Sequence, residues 1–419
     1  MNIAIPQKDI SILRRLAEQQ AEIAALPAQR EKMELWRKLN QLEPVRPLVW
    51  INEIPWHEMD VDGELTLQTS HPWAQGIETG LRRLVYQWKH MPGDMIVDDY
   101  LTCNKVIYST GVGLQEDVEI VMTDAASDVV SRRFHRQIVE PEDIEKILMP
   151  QVTYDLEATE DNYAVMCQVF GDILPVRLVG KKGTWFAPWD ELIRWWGVEE
   201  AMIDLIERPE MVNEAVSRLM DAYLYELDQW DALNLLSRND DNTRIGSGGY
   251  GYTDELPGSI YDPEHIHPQT MWGCATAQIF GPVSPAMHWK FSLRHELRWL
   301  ERWGLAYYGC CEPLDIKMGI LRRIPNLRKV SMSPWVDLER AVQEVQDNYV
   351  FSRKPNPAVL AEDTWRPGHA RQELSQFLEK ARGCHIEIIL KDISTLRYRP
   401  GRLWEWEKMA MELVAEYNP

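Results

Sequence analysis

Cys310, Cys311 and Glu312 close the apolar run LAYYGCC and bring two thiols and a carboxylate to one point of the chain. Thiolate, carboxylate and imidazole together can hold Zn²⁺, and a catalytic zinc keeps one position open. The imidazole could come from His267, on a Gly-, Asp- and Pro-rich loop spanning 239–283. Cys310, Glu312 and His267 are therefore the candidate metal ligands, although no C-x-x-C or H-x-x-x-H spacing accompanies them. The plainer alternative is that the two cysteines are small apolar residues packed at a rim. Side chains two apart on a strand share a face, so Tyr308, Cys310 and Glu312 should point together and Cys311 away. Asp240 and Asp241 are the candidate acid/base or substrate-positioning carboxylates; adjacent residues usually diverge, so one of them is expected to act. The segment GSGGYGY at 246–252 lacks the Lys-Ser/Thr of a phosphate loop. It reads as a mobile lid or substrate loop.

The aromatic composition adds a second clue, 18 Trp against 7 Phe. Indole faces suit planar or cationic ligands, and a packed core uses them equally well. Trp50, Trp56 and Trp185 fall just after or within expected strand ends, with Asn52, Glu53, Arg353 and Lys354. These seven are the candidate substrate contacts. Ser331 and Ser333, and the pair Lys391-Asp392, end other expected strands.

The elements that must position these residues follow from apolar runs and helix signals. Residues 1–43 read as helix, stopped by Pro44 and Pro47. A short strand at 47–53 follows, and 55–150 is mixed, with a strand near 94–108. From 176 onward strands alternate with helices: strands at 176, 233–238, 305–311, 327–333, 349–355 and 383–392, and a helix begun by Ser284-Pro285. Such alternation predicts a parallel sheet. With 47–53 and one strand from 55–150 the count reaches eight, which predicts a (β/α)₈ TIM barrel over 46–419, the N-terminal helices 1–45 forming an extension. Barrel active sites lie at the C-terminal strand ends. A doubly wound sheet is the second architecture, but no glycine-rich phosphate fingerprint follows the first strand.

Acidic residues outnumber basic ones 65 to 45, for a net charge of −20, which disfavours nucleic acid. No apolar stretch is long enough to span a membrane, and the N-terminus does not read as a secretory signal. A cytoplasmic enzyme with reduced thiols is expected, and a homodimer is the assembly considered for it.

Three blocks, GTWFAPWDELIRWWGVEEAMIDLIERPEMVNEAVSRLMDAY, QIFGPVSPAMHWKFSLRHELRWLERWG and YYGCCEPLDIKMGILRRIPNLRKVSMSPWVDLERA, resemble the uroporphyrinogen decarboxylase superfamily in order from about residue 30 onward. The resemblance implies a (β/α)₈ barrel. Decarboxylases of that superfamily carry an Arg-rich motif after the first strand, where this chain has WINEIPWHEMD, without arginine. The resemblance is instead to the branch of zinc-dependent methyltransferases that work with a corrinoid protein. Their His-x-Cys motif places the Cys at Cys310 but the His at Tyr308, and Lys391-Asp392 stand where a further Cys belongs. What the resemblance implies is transfer of a methyl group from a small substrate, an aryl methyl ether or methylamine-like compound, to cobalamin on a partner corrinoid protein. Ether cleavage requires a proton or electrophile at the leaving oxygen. A Trp-lined glycoside hydrolase with Glu53 or Glu312 as acid, a decarboxylase of the same superfamily, and a binding protein without chemistry are the alternatives.

Overall fold

Six short runs, β1 (Leu48–Ile51), β2 (Trp272–Ala275), β3 (Leu305–Tyr308), β4 (Leu327–Met332), β5 (Val350–Arg353) and β6 (His385–Leu390), pair in parallel in this computed structural model, which describes residues 5–122, 130–258 and 262–417. Their spatial order is β1-β6-β5-β4-β3-β2, so the first strand lies beside the last and the sheet winds in one direction. A doubly wound sheet would reverse its order at a switch point. Ile51 aligns with Leu390 and Arg353 with Ile388, which sets the chain segments after β1 and β6 side by side. The stretch 55–150 supplies Leu101–Asn104, paired in parallel with Val176–Val179, the antiparallel pair Val118–Val121 with Ser131–Phe134, and Val106–Ser109, which pairs antiparallel with Val152–Asp155. The expected strand at 233–238 is reduced to a single parallel bridge, Lys181 with Leu236. The loop expected over 239–283 contains β2; its run MWGCATA was apolar enough to show this. Residues 259–261 of that loop lie outside the described residues.

Two of the helices that follow strands begin on side-chain caps. Ser284 Oγ accepts from Met287 N at 3.3 Å, and Asp337 accepts from Arg340 N at 3.1 Å. The N-terminal helix Pro27–Asn40 sends Trp36 into the interior, where it is wholly buried and donates to Asp94 O at 2.8 Å. Because helices and loops cover the strands, nearly every strand residue is buried.

Alternation makes one strand face polar. Tyr307, Lys329, Ser352 and Glu387 meet inside the sheet, with Lys329 Nζ 3.0 Å from Glu387 Oε2 and both residues 0% exposed. Burial opposes both charges; Lys329 and Lys354 nonetheless hold the Glu387 carboxyl below its ordinary range. The 246–250 segment enters this network. Gly249 N donates to Glu387 Oε1 at 3.2 Å, Lys329 donates to Tyr250 O at 3.2 Å, and Ser247 Oγ meets Tyr307 Oη at 2.9 Å. The glycines are there for room. A Cβ on Gly248 would stand 2.4 Å from Glu387 Oε1, and one on Gly249 would stand 2.3 Å from the Trp36 ring. The segment read from sequence as a mobile lid is a plug in the sheet's interior.

Removing one partner of a buried pair leaves the other charge unpaired, at a cost of about 3–5 kcal/mol. Glu387→Ala is expected to lose that much in urea unfolding, and Gly248→Ala about 1–3 kcal/mol through overpacking. Wild-type stability in Glu387→Ala would show that the pair contributes nothing.

Candidate active site

The segments after the C-terminal ends of β1, β3 and β6 meet around a cavity of about 590 Å³. Glu53 follows β1, Cys310 follows β3, and Lys391 and Asp392 follow β6; the loop residue Arg244 and Trp185 complete the part that matters chemically. The backbone turns sharply to deliver them. Gly309 has φ +99°, and a Cβ there would lie 2.4 Å from Leu314 Cδ1. Glu53 and Asp392 adopt φ +51° and +56°, a left-handed conformation that costs non-glycine residues strain and clusters at functional sites.

Lys391 is the centre of the charge arrangement. Its ammonium lies 2.5 Å from Asp392 Oδ2, 3.4 Å from Glu53 Oε2 and 3.6 Å from Cys310 Sγ. Burial opposes the charge, but Cys310, Glu53 and Asp392 together raise the lysine above its ordinary range. Cys310 is pulled the other way. The Cys311 thiol, 3.4 Å distant, is the largest cause of its lowered pKa; burial opposes the shift and Lys391 assists it. Cys311, exposed and hydrogen-bonded to Cys310, is raised instead. Burial also opposes the Glu53 carboxylate, yet Lys391 and Arg244 hold it at about 2. Arg244 Nη2 meets Glu53 Oε1 at 2.8 Å, and its Nε is buried without a hydrogen-bond partner.

Of the residues expected at the site, Cys310, Glu53 and Trp185 line the cavity. The others are engaged elsewhere. Tyr308 alternates with the inward Tyr307 and so faces the helices, where it donates to Glu296 Oε2 at 2.7 Å and meets His288 Nε2 at 2.8 Å; Gly309 then breaks the alternation, so Cys310 does not follow it. Glu312 is buried and accepts from Thr276 Oγ1 at 2.9 Å, Ala277 N at 3.3 Å and Cys310 N at 2.9 Å. It positions the Cys310 loop. His267 is bonded to Asp231 Oδ1 at 2.8 Å, at the end of helix Pro209–Ala232, because Asn234 Nδ2 ties Glu264 O to that helix end at 2.7 Å. Cys310, Glu312 and His267 are thus not assembled as a set of metal ligands; among the described residues the one such group is Asp231, His265 and His267.

Asp240 is paired with Arg238, and Asp241 with Lys182 at 2.6 Å; neither lines the cavity. Trp50 packs on Tyr250 at 4.4 Å, Trp56 lies edge-on to Tyr86 at 6.1 Å, and Asn52 Oδ1 caps Glu53 N at 2.7 Å. Arg353 points to the helix layer and donates to Ser333 O at 2.9 Å. Lys354 lies beneath the cavity, 2.8 Å from Tyr307 Oη, where burial drops its ammonium to about 7. Arg244, Trp272 and Cys274 line the cavity without having been expected there; the clue for the last two was the apolar run of β2.

No family model and no curated protein matches the chain. Among solved structures its fold is similar to that of a methyltransferase from Methanosarcina mazei, with a TM-score of 0.51 and 12% identity, covering 92% of this chain and 98% of that one. The likeness is one of fold.

The Cys310–Lys391 pair has a direct chemical readout. Alkylation of Cys310 by iodoacetamide, followed by peptide mass spectrometry, is expected to titrate below the ordinary thiol value of about 8.5. Lys391→Met should move that titration upward, since the cation that favours the thiolate is gone. Unchanged titration in Lys391→Met would separate the two groups.

Proposed function

We propose that the protein is a methyltransferase that removes a methyl group from a small methylated substrate and passes it to cobalamin carried by a partner corrinoid protein. The observation that carries this reading is the Cys310–Lys391–Glu53 cluster in a cavity at strand ends, on a fold similar along most of its length to that of a methyltransferase. The one-directional strand order supports the closed (β/α)₈ barrel and, with the sequence blocks, the uroporphyrinogen decarboxylase-like branch.

The zinc expected with this chemistry has no assembled Cys310–Glu312–His267 set, so no step is drawn through it. The chain's own residues supply a cation instead. The methyl–oxygen bond of an ether breaks as the methyl carbon passes to the incoming nucleophile; its electron pair stays on the oxygen, where the Lys391 ammonium, exchanging its longest contact, to Cys310, for that oxygen, stabilises the developing charge. Cys310 and Glu53 keep that ammonium charged and aimed. The Arg244 guanidinium and Trp185, 46% exposed, line the cavity and offer the substrate a cation and an aromatic wall. The nucleophile approaches through the mouth. Trp185, Ile316 and Trp335, all exposed on segments after strands, support the docking of a second protein there.

A glycoside hydrolase needs a protonated carboxyl at the site. Glu53, held at about 2, cannot serve as one, and Glu312 has both oxygens engaged.

The test incubates the protein with aryl methyl ethers and methylated amines and cob(I)alamin, following methylcobalamin absorbance. Lys391→Met is expected to lose at least about 100-fold, equivalent to ~2.7 kcal/mol, with Lys391→Arg retaining part of the rate. Wild-type activity should survive a chelator. Absence of methylcobalamin with every substrate, or full activity in Lys391→Met, would overturn the reading.

A further inference from the structure

Away from the cavity, His265 and His267 converge on one carboxylate. His265 Nε2 lies 3.1 Å and His267 Nδ1 lies 2.8 Å from the same Asp231 Oδ1, and one ligand atom from each of the three residues falls within 4.8 Å of the others. The two imidazoles are stacked, with centroids 4.2 Å apart and planes tilted by 22°. The spacing of two residues on extended chain puts both rings on one side, and His267 has the φ of −103° and ψ of 153° this requires. The frame is fixed on both sides. Asp231 belongs to the last turn of helix Pro209–Ala232, and the loop is held by Asn234 Nδ2 to Glu264 O at 2.7 Å and Glu264 N to Asp262 Oδ1 at 2.9 Å.

From this arrangement we infer that Asp231, His265 and His267 form a binding site for a divalent transition metal, Zn²⁺ above all. Metal–ligand bonds of about 2.0–2.2 Å in tetrahedral geometry place donors a little over 3 Å apart. The separations to Asp231 Oδ1 are already close to that edge length. Two imidazole nitrogens and one carboxylate oxygen form a donor set of intermediate softness, suited to Zn²⁺ rather than to Mg²⁺ or Ca²⁺. The side chains are 22%, 32% and 36% exposed, so an ion can enter and water can complete its shell. His265 Nε2 also meets the Asp231 backbone oxygen at 2.7 Å. Metal binding exchanges that hydrogen bond for a coordinate bond and clamps the 262–267 segment to the helix end. The site is separate from the catalytic reading above and stands or falls without it.

The experiment uses the tag-free, metal-stripped full chain. Zn²⁺ is titrated by calorimetry and Co²⁺ by absorption, on wild type, His267→Gln, His265→Ala/His267→Gln and Cys310→Ala. One equivalent is expected to bind wild type and Cys310→Ala alike, with a Kd of about 10 μM or tighter. Cobalt should show d–d bands without thiolate charge transfer, and Zn²⁺ should raise Tm by about 3 °C. Both histidine variants should lose at least about 10-fold in affinity while retaining their metal-free melting behaviour. Three results would overturn the proposal: no binding at about 100 μM metal, binding unaffected by the histidine substitutions, or binding lost in Cys310→Ala with a thiolate band.

Discussion

The ion pair between Lys329 and Glu387 is the interaction on which the interior of the sheet depends. Two full charges at zero exposure cost several kcal/mol each in lost hydration, and their mutual attraction offsets this only when every remaining hydrogen-bonding position is filled. Here the filling is done by Ser352 Oγ at 2.6 Å from Glu387, Gly249 N, the Tyr250 carbonyl and, one layer up, Lys354 and Tyr307. The consequence runs outward. A loop segment must enter the sheet to supply backbone groups, so three of its residues must be glycine. Ser247 and Arg244, upstream on that loop, are thereby brought to the cavity.

Above that layer the strands end, and the backbone conformation decides what the cavity contains. Regular alternation from Tyr308 would have aimed Tyr308, Cys310 and Glu312 together. Tyr308 keeps to the rule and faces the helix layer, opposite Tyr307; Gly309 in the left-handed region then breaks it and leaves Cys310 over the sheet. Glu53 and Asp392 take the same region without being glycine, and Asp392 N bonds Glu53 Oε2 at 3.2 Å across the joint between the first and last strands. Their strain is held in place by Lys391, which both carboxylates face.

This separates what the sequence could reveal from what it could not. Five of the six sheet strands were legible because apolar runs of four to six residues between helices have a simple physical cause, while β2 was lost in the expected loop; the strand-end rule picked out Glu53, Trp185, Cys310 and Lys391-Asp392 without further information. A helix start was legible at Ser284, where a side-chain oxygen replaces the missing backbone partner. The failures share a different cause. His267 and Arg244 come from the same loop, and nothing in their spacing says which one reaches the cavity, since that depends on Asn234 and Glu387, distant in sequence. The glycine-rich run was read for its flexibility, whereas glycine served there for close approach to Tyr307, Glu387 and Trp36. Asp240 and Asp241 were read as acid/base or substrate-positioning carboxylates, one of them acting, but a basic residue stands within reach of each.

On the methyltransferase reading proposed above, the same geometry bears on what a lysine at the centre of the site can do. A divalent ion and an ammonium differ in charge and in directionality: the ion accepts lone pairs from several sides, whereas the ammonium donates three hydrogen bonds. The arrangement around Lys391 suits the second. Its neighbours are a thiolate-prone sulfur and two carboxylates, all acceptors, at 2.5–3.6 Å rather than at coordination distance. An ammonium cannot acidify a bound water as zinc does. It can stabilise negative charge forming on a leaving heteroatom, provided water is kept away and its own protonation is secure. The lysine's raised pKa secures the protonation, and its 4% side-chain exposure keeps water away. A site built this way trades Lewis acidity for a cation that is part of the chain and cannot dissociate.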